Sequence, residues 1–226
     1  MGLHPVSVER VAFGLRPVCP QSLVWKLVGA AERVMAGLFL VVIFPALAAA
    51  ALAIAFLSRR SPLIAHLRVG QHGRNIWVLK LRTMWQQRSS GCRLRPFIER
   101  LTGEEIPESK SQTDARVTSR FAAVCRKYSV DEWPQLWHVI RGEMALVGPR
   151  PLTAAELDRY YGSSTALLLS VKPGITGLWQ VKGRSRLTYP QRRRLDLFLI
   201  HHRCLRLYAR ILNATIPRVV TGKDAW

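Results

Sequence analysis

The sequence predicts a mainly helical α+β, monotopic membrane protein, in which a re-entrant apolar helix broken by proline anchors a basic domain. Three observations support this fold class: a charge-free apolar run at 34–58, a large excess of lysine and arginine, and one short alternating apolar pattern. They divide the chain into an irregular lead at 1–24, a membrane helix at 25–60 and a cytoplasmic domain at 61–226. That domain is expected to carry a small β-hairpin and amphipathic helices lying at the membrane interface.

The charge of the chain predicts an anionic partner. Lysine and arginine number 34 against 14 acidic residues, a formal net charge of +20. Nucleic acid, an acidic membrane surface and phosphorylated substrates all suit such a balance. The sequence contains neither a Walker-type loop nor a GxGxxG motif, so a nucleotide would be held by other means. The four cysteines lack metal-ligand spacing and are typical of free thiols in a reducing compartment.

The apolar run at 34–58 is longer than the roughly 20 residues that a straight helix needs to cross a bilayer. Pro45 lies near its middle and is expected to bend or break the helix. Basic residues flank both sides, including Arg33 before the run and Arg59 after it, so the positive-inside rule places both ends in the cytoplasm. A helix–break–helix hairpin that enters the bilayer and returns satisfies both observations. The alternative is a single span kinked at Pro45.

Residues 67–84 predict a pair of strands joined by a turn at 71–75. Alternation sends Lys80 and Arg82 to one face and the apolar side chains to the other, namely Trp77, Leu79 and Leu81. The two cations either grip a phosphate or form the solvated side of the hairpin. A polar excursion follows at 85–113, with a short helix predicted around 95–101, and a helical pattern resumes at 114–128.

Two adjacent carboxylates, Asp131 and Glu132, stand in this acid-poor chain at the predicted start of a helix. The apolar residues that follow recur at helical spacing, and Pro134 suits the first turn. Asp131 is then either an ordinary N-cap or an ionised carboxylate available as a nucleophile, with Glu132 beside it as a base.

Downstream segments add further candidates for binding anions. Arg150 lies between Pro149 and Pro151, so it is either a rigidly presented phosphate clamp or a surface arginine in a turn. Residues 173–181 predict a glycine-punctuated loop that leads into a strand-like apolar run. The arginines at 203, 206 and 210 share one helical face, as in a helix on an anionic membrane surface or an amphipathic helix of the domain itself.

Several motifs occur together in one order: KLRTM at 80–84, DARVT at 114–118, RKYSVDEWPQ at 126–135, GEMALVGPRP at 142–151 and PGITGLWQ at 173–180. This set resembles the bacterial sugar transferases, the monotopic polyprenyl-phosphate phosphoglycosyltransferases that initiate exopolysaccharide, capsule and O-antigen assembly. The resemblance extends over residues 25–226.

The resemblance implies a re-entrant membrane helix and a catalytic cytoplasmic domain. It also implies that Asp131 and Glu132 act with Mg²⁺, held in part by Asp131, on a nucleoside-diphosphate sugar, with UDP as the expected nucleotide. Asp131 would form a covalent phosphosugar, release UMP and pass the group to polyprenyl phosphate. Lys80, Arg82 and Arg150 are the expected ligands of the substrate phosphates. Anionic membrane lipids are expected partners, nucleic acid is not, and a homo-oligomer is left open.

Three positions depart from the family pattern. Phe44 precedes Pro45 where the family commonly has serine, Tyr208 replaces a usual acidic residue, and His138 replaces a common asparagine. A hypothesis from another class is a non-enzymatic, membrane-tethered binder of nucleic acid or acidic polymer, which the charge and the arginine clusters support. That hypothesis leaves the paired carboxylates and the fixed Arg150 unexplained.

Overall fold

The computed structural model describes residues 23–84, 97–101, 119–183 and 187–222. The helices in these ranges are α1 (Leu23–Ser58), α2 (Arg120–Lys127), α3 (Leu136–Ile140), α4 (Ala154–Tyr160), α5 (Thr165–Leu168), α6 (Leu178–Lys182), α7 (Tyr189–His201) and α8 (Leu205–Thr221). The strands are β1 (Leu63–Val69), β2 (Asn75–Leu81), β3 (Ile98–Leu101), β4 (Ala145–Val147) and β5 (Gly174–Thr176), and short 3-10 helices occupy Gln71–Gly73, Val130–Gln135 and Gly162–Ser164. Nearly all of the predicted lead and most of the excursion at 85–113 lie outside the described residues.

Helix α1 is long and apolar enough to span a membrane. Its 36 residues correspond to about 54 Å if the helix is straight, against about 30 Å for the hydrocarbon core of a bilayer. Helical structure continues through Pro45, so the predicted break is not confirmed and the re-entrant path stays a prediction.

One narrow stripe of α1 packs on the domain, and the rest of its surface faces outward. Ala36 contacts the cluster that includes Val139 and Met144, and Ile54 contacts the cluster that includes Leu81. The domain therefore contacts α1 on both sides of Pro45. The outward face exposes large apolar side chains: Leu23, Val24, Leu27, Val34, Met35, Leu38, Phe39, Val41, Val42, Phe44, Leu52, Phe56 and Leu57. Such a surface is typical of a lipid-facing helix and not of a soluble core helix.

Glu32 connects α1 to the rest of the fold. It is buried, and its Oε1 accepts hydrogen bonds from the Leu146 amide at 2.6 Å and from the Tyr208 hydroxyl. A carboxylate at position 208 would face Glu32 and repel it. Tyr208, which stands where the family pattern usually has an acidic residue, avoids this repulsion. Its hydroxyl donates a hydrogen bond to Glu32, which an ionised carboxylate could not do.

The predicted hairpin is part of a three-stranded sheet of order β2-β1-β3. Strands β1 and β2 are antiparallel and joined by the predicted turn, but β1 begins at Leu63, before the expected start. The helix predicted around 95–101 is wrong for its described part, since Ile98–Leu101 pairs parallel with β1. This pairing satisfies the backbone hydrogen-bonding groups on the otherwise free edge of β1. It is a long-range interaction, which the local sequence pattern does not reveal.

The two faces of β2 hold the predicted side chains, but the face that carries Lys80 is buried rather than solvated, and Leu81 is buried on the other face. Ile76 and Val78 are 7% and 2% exposed and share the face of Lys80, whereas Trp77 and Leu79 are only half-buried. Lys80 therefore lies on the side of the strand that packs on the domain, and it is directed toward the 3-10 helix Val130–Gln135.

A second, two-stranded parallel sheet pairs β4 with β5. The strand-like run predicted after the glycine loop is instead helix α6, which begins after Gly177 and buries Leu178, Trp179 and Val181. Leu178 and Val181 join α7 and α8 in a cluster that includes Leu199 and Ile211. Helix α8 is amphipathic as predicted, with Ile211 buried and Arg206 and Arg210 exposed. Arg203, predicted on the same helical face, instead precedes α8 and is half-buried.

Candidate active site

The paired carboxylates lie in a tight 3-10 helix rather than at an α-helical N-cap. Ser129 is the N-cap residue and adopts the left-handed conformation (φ 56°), and Asp131 and Glu132 follow in the first turn. The interpretation of Asp131 as the N-cap is therefore wrong. Pro134 precedes α3, where its missing amide removes no α-helical hydrogen bond. A left-handed serine costs about 1 kcal/mol or more, and such strain clusters at functional sites.

Lys80 holds the second carboxylate in place. Its Nζ lies 2.8 Å from Glu132 Oε1, and the two side chains are 22% and 26% exposed. This ion pair connects β2 to the 3-10 helix across 52 residues of sequence. It gives the predicted phosphate-binding lysine a direct contact with the predicted base.

An open cleft of about 360 Å³ brings three of the predicted site residues together. Lys80 comes from β2, Glu132 from the 3-10 helix and Arg150 from the turn after β4. The other residues that line it are His66, Arg68, Val78, Gln135, Pro151, Gly174, Ile175 and Gln180.

The cleft is strongly electropositive. Burial, followed by the charges of Lys80, Arg68 and Arg150, lowers the pKa of His66 to about 4, so this imidazole is neutral at pH 7. Arg68 is partly compensated by Glu156, whose Oε2 lies 2.9 Å from its Nη1. The remaining positive field favours an anion with several charges, such as a pyrophosphate.

Arg150 sits on a turn that is fixed on two sides. The Gly174 amide donates to the Pro149 carbonyl at 2.8 Å, and the Val69 amide donates to the Leu152 carbonyl at the same distance. A Cβ at Gly148 would lie 2.6 Å from the Lys172 carbonyl oxygen, so the close approach of β5 requires glycine there. The guanidinium lies 5.9 Å from the Trp179 ring centroid, which limits its orientation.

A buried carboxyl group, Asp196, lies near the Arg150 guanidinium and neutralises only part of its positive charge. Asp196 is 1% exposed and accepts a hydrogen bond from the Tyr161 hydroxyl at 2.7 Å. Burial raises the pKa of Asp196 to about 7, although the Tyr161 hydrogen bond and the charges of Arg150 and Arg192 act in the opposite direction. At neutral pH a substantial fraction of this carboxyl is therefore protonated.

Two of the predicted residues do not line the cleft. Arg82 is 6% exposed and donates to Glu99 Oε2 at 2.6 Å and to the Ser61 carbonyl at 2.8 Å. Asp131 adjoins Glu132 in sequence and lies within electrostatic reach of Cys125. Burial, and then the charge of Asp131, raises the pKa of the Cys125 thiol to about 11, so this cysteine is not a thiolate.

His138 replaces the asparagine of the family pattern and supports the strand that carries Lys80. Its Nε2 lies 3.2 Å from the Leu79 amide nitrogen, and its Nδ1 lies 2.6 Å from Glu143 Oε2. Since the backbone amide donates, Nε2 is the acceptor and Nδ1 carries the proton. The ring thereby satisfies a backbone amide of β2, a strand at the edge of its sheet.

Sequence reasoning missed His66, Arg68, Gln135 and Gln180 as cleft residues. His66 and Arg68 alternate along β1, whose start was placed too late to make their common face visible. The two glutamines are the last residues of the motifs RKYSVDEWPQ and PGITGLWQ, and this position could have identified them as candidate site residues. Gln180 Nε2 donates to the Ile175 carbonyl at 3.0 Å, and its buried Oε1 has no hydrogen-bond partner within the part of the chain that the structure describes.

The residues fit a magnesium ion that is shared with a substrate. Within the described ranges no group of three or more histidine, cysteine or acidic side chains could hold a metal. Mg²⁺ is commonly held by one or two carboxylates together with substrate phosphates and water, so a small donor set suffices. Glu132 Oε1 contacts Lys80 and Asp131 does not line the cleft, so the magnesium ion and its assignment to Asp131 stay a prediction.

Comparisons with known proteins agree with the motif order. The profile of the bacterial sugar transferase family matches residues 25–222. The chain is 35% identical over 203 residues to the UDP-glucose:undecaprenyl-phosphate glucose-1-phosphate transferase of Caulobacter vibrioides, covering 86% of this chain and 70% of that protein. It is 37% identical over 165 residues to the exopolysaccharide production protein ExoY of Rhizobium meliloti, covering 71% of each. It is 39% identical over 170 residues to the UDP-galactose-lipid carrier transferase of Erwinia amylovora, a match that covers 74% of this chain but about a third (35%) of the Erwinia protein.

Proposed function

Because the chain belongs to the bacterial sugar transferase family, we propose that it is a membrane-bound phosphoglycosyltransferase. It transfers a phosphosugar from a UDP-sugar to polyprenyl phosphate, as undecaprenyl phosphate, and releases UMP. The product is a polyprenyl-diphosphate sugar, which starts the membrane stage of exopolysaccharide or glycoconjugate synthesis. The observation that carries this proposal is the cleft in which Lys80, Glu132 and Arg150 converge beside Asp131.

The proposed reaction has two displacements at one phosphorus. A carboxylate oxygen of Asp131 bonds to the phosphorus nearest the sugar, the bond from that phosphorus to the bridging oxygen breaks, and UMP departs with the electron pair. An oxygen of polyprenyl phosphate then attacks the same phosphorus. The bond to Asp131 breaks, which restores the carboxylate.

The other residues of the cleft supply charge and proton control. Arg150 binds the pyrophosphate and offsets the repulsion between the anionic donor and the attacking carboxylate. Glu132, held by Lys80, accepts a proton from polyprenyl phosphate when that acceptor arrives as the monoanion. When bound, Mg²⁺ adds further neutralisation of the pyrophosphate charge.

Purified protein in lipid, given Mg²⁺, undecaprenyl phosphate and a panel of UDP-sugars, is expected to release UMP with at least one donor. Continued release of UMP should require both the sugar donor and undecaprenyl phosphate. The measurement is UMP formation by a coupled assay or chromatography. If folded protein released no UMP with any donor of the panel, the proposed activity would be wrong.

We also propose that α1 enters the inner membrane and returns, with the catalytic domain on the cytoplasmic face. The domain contacts α1 on both sides of Pro45, which supports a helix that stays with the domain over its whole length. Exposed apolar side chains on its outer face would contact lipid.

This topology predicts that a reporter fused after residue 2 and another fused after residue 226 both report a cytoplasmic location. Paired fusions to alkaline phosphatase and green fluorescent protein distinguish the two sides of the inner membrane. Reporters on opposite sides would contradict the re-entrant path and support the kinked single span.

A further inference from the structure

A second open cleft of about 350 Å³ adjoins the candidate active site but shares none of its lining residues. The two clefts meet at two backbone turns. Pro149 lines the second cleft and Arg150 the first, and likewise Lys172 lines the second and Gly174 the first. The second cleft is therefore separate from the site of sugar transfer.

The second cleft is rich in positive charge. Lys172 and Arg203 line it, and Arg33 of α1 acts on Lys172 from nearby. Burial, and then the charges of Arg33 and Arg203, lowers the pKa of Lys172, and the one carboxylate that acts on it is Glu32. Glu32 already accepts hydrogen bonds from the Leu146 amide and the Tyr208 hydroxyl. The cleft therefore combines two lining cations, Lys172 and Arg203, with a third cation, Arg33, nearby.

Lys172 itself supports the presence of a ligand. Its side chain is half-buried, and its ammonium makes no ion pair or hydrogen bond with another residue that the structure describes. A desolvated ammonium is costly unless an anion compensates it. An anion from outside this part of the chain would offset that cost if it bound beside Lys172.

The cleft lies beside the first turn of α1. Arg203 Cζ lies 4.0 Å from the centroid of the Trp25 ring, and the Tyr208 ring lies 6.1 Å from it. Near them, Leu23 and Leu205 are 71% and 50% exposed. Tryptophan, tyrosine and arginine at the end of an apolar helix are typical of the membrane–water interface, where lipid phosphates lie.

We propose that this cleft binds the phosphate of an anionic phospholipid headgroup, with Lys172 and Arg203 as its ligands. Both cations reach the phosphate at the depth of the interface, and the apolar residues Leu199 and Ile200 line the cleft beside the glycerol portion. The bound lipid compensates the charge of Lys172 and fixes the orientation of the domain on the membrane.

The test uses the full-length protein, delipidated in a non-ionic detergent, and short-chain lipids below their micellar concentration. Dihexanoyl phosphatidic acid, dihexanoyl phosphatidylcholine and inorganic phosphate are titrated separately by calorimetry. The paired variant Lys172→Gln/Arg203→Gln is compared with Arg206→Gln/Arg210→Gln, which removes the same charge from the exposed face of α8. Lys172→Arg serves as the charge-conserving variant, and far-UV circular dichroism confirms that each variant is folded.

Wild type, the α8 control and Lys172→Arg are expected to bind phosphatidic acid with similar affinity, and the paired cleft variant at least about tenfold more weakly. Equal binding of phosphatidylcholine, or an equal loss in both paired variants, would overturn the proposal, because the first indicates an apolar site and the second unspecific charge attraction. If inorganic phosphate bound as tightly as phosphatidic acid and lost affinity in the same way in the paired cleft variant, the ligand of the cleft would be free phosphate and the lipid proposal would be wrong. The titration contains no sugar donor, so its outcome is independent of the proposed transferase activity.

Discussion

Asp131→Asn is expected to abolish UMP release and covalent phosphosugar labelling together. The substitution keeps the size and planarity of the side chain but removes the charge and nucleophilicity of the carboxylate oxygen. Loss of the nucleophile in a two-step displacement is expected to lower kcat by at least about a thousandfold. The measurement is the mass added to the protein by the donor in the absence of polyprenyl phosphate, together with steady-state UMP formation.

Glu132→Gln is the matched control for this experiment, since it changes the neighbouring carboxylate in the same way. It removes the charge that pairs with Lys80 at 2.8 Å, so turnover should slow, but the mass increase should persist. Labelling that survives in Asp131→Asn and disappears in Glu132→Gln would assign the nucleophile to Glu132. Melting temperatures close to wild type would show that neither result comes from unfolding.

The sequence predicted the elements whose signal is local and missed those that depend on distant partners. The length and apolar character of α1 follow from composition, and the β1–β2 turn from its glycine and asparagine. Strand β3 was predicted as helix, because only pairing with the edge of β1 makes Ile98–Leu101 extended. The burial of the Lys80 face of β2 was missed for a similar reason: Ile76 and Val78 pack against the cluster of Ala36, Val139 and Met144, which no pattern within β2 reveals.

The candidate site shows the same division. Glu132, Lys80 and Arg150 were identified from motifs, and the structure brings them into one cleft. Arg82 has the same charge and lies two residues from Lys80, yet it is directed to Glu99 of β3, a strand that was not predicted. His66 carries no local signal of function and joins the cleft through the sheet pairing of β1. Gln180, the last residue of the motif PGITGLWQ, joins it through the packing of α6.

Arg150→Ala is expected to lower kcat/KM by about a hundredfold, the second largest effect on the proposed reaction. Arg150 presents its guanidinium from a fixed turn into the cleft that it shares with Glu132 and Lys80, where the proposed pyrophosphate would bind. Arg150→Lys keeps the charge but loses the paired N–H geometry, so a loss of about tenfold is expected. The measurement is steady-state UMP release with varied donor concentration.

Arg194→Ala is the control, because it removes the same charge from an exposed position of α7. If only the long-range field of the basic domain mattered, Arg194→Ala and Arg150→Ala would reduce kcat/KM equally, and raising the salt concentration would erase both effects. A contact with the pyrophosphate predicts instead that the Arg150 effect persists at high salt and is graded from lysine to alanine. Since Arg150 is held by the β5 and β1 backbone and by the Trp179 ring, this grading reports on the geometry of the guanidinium and not on the total charge of the chain.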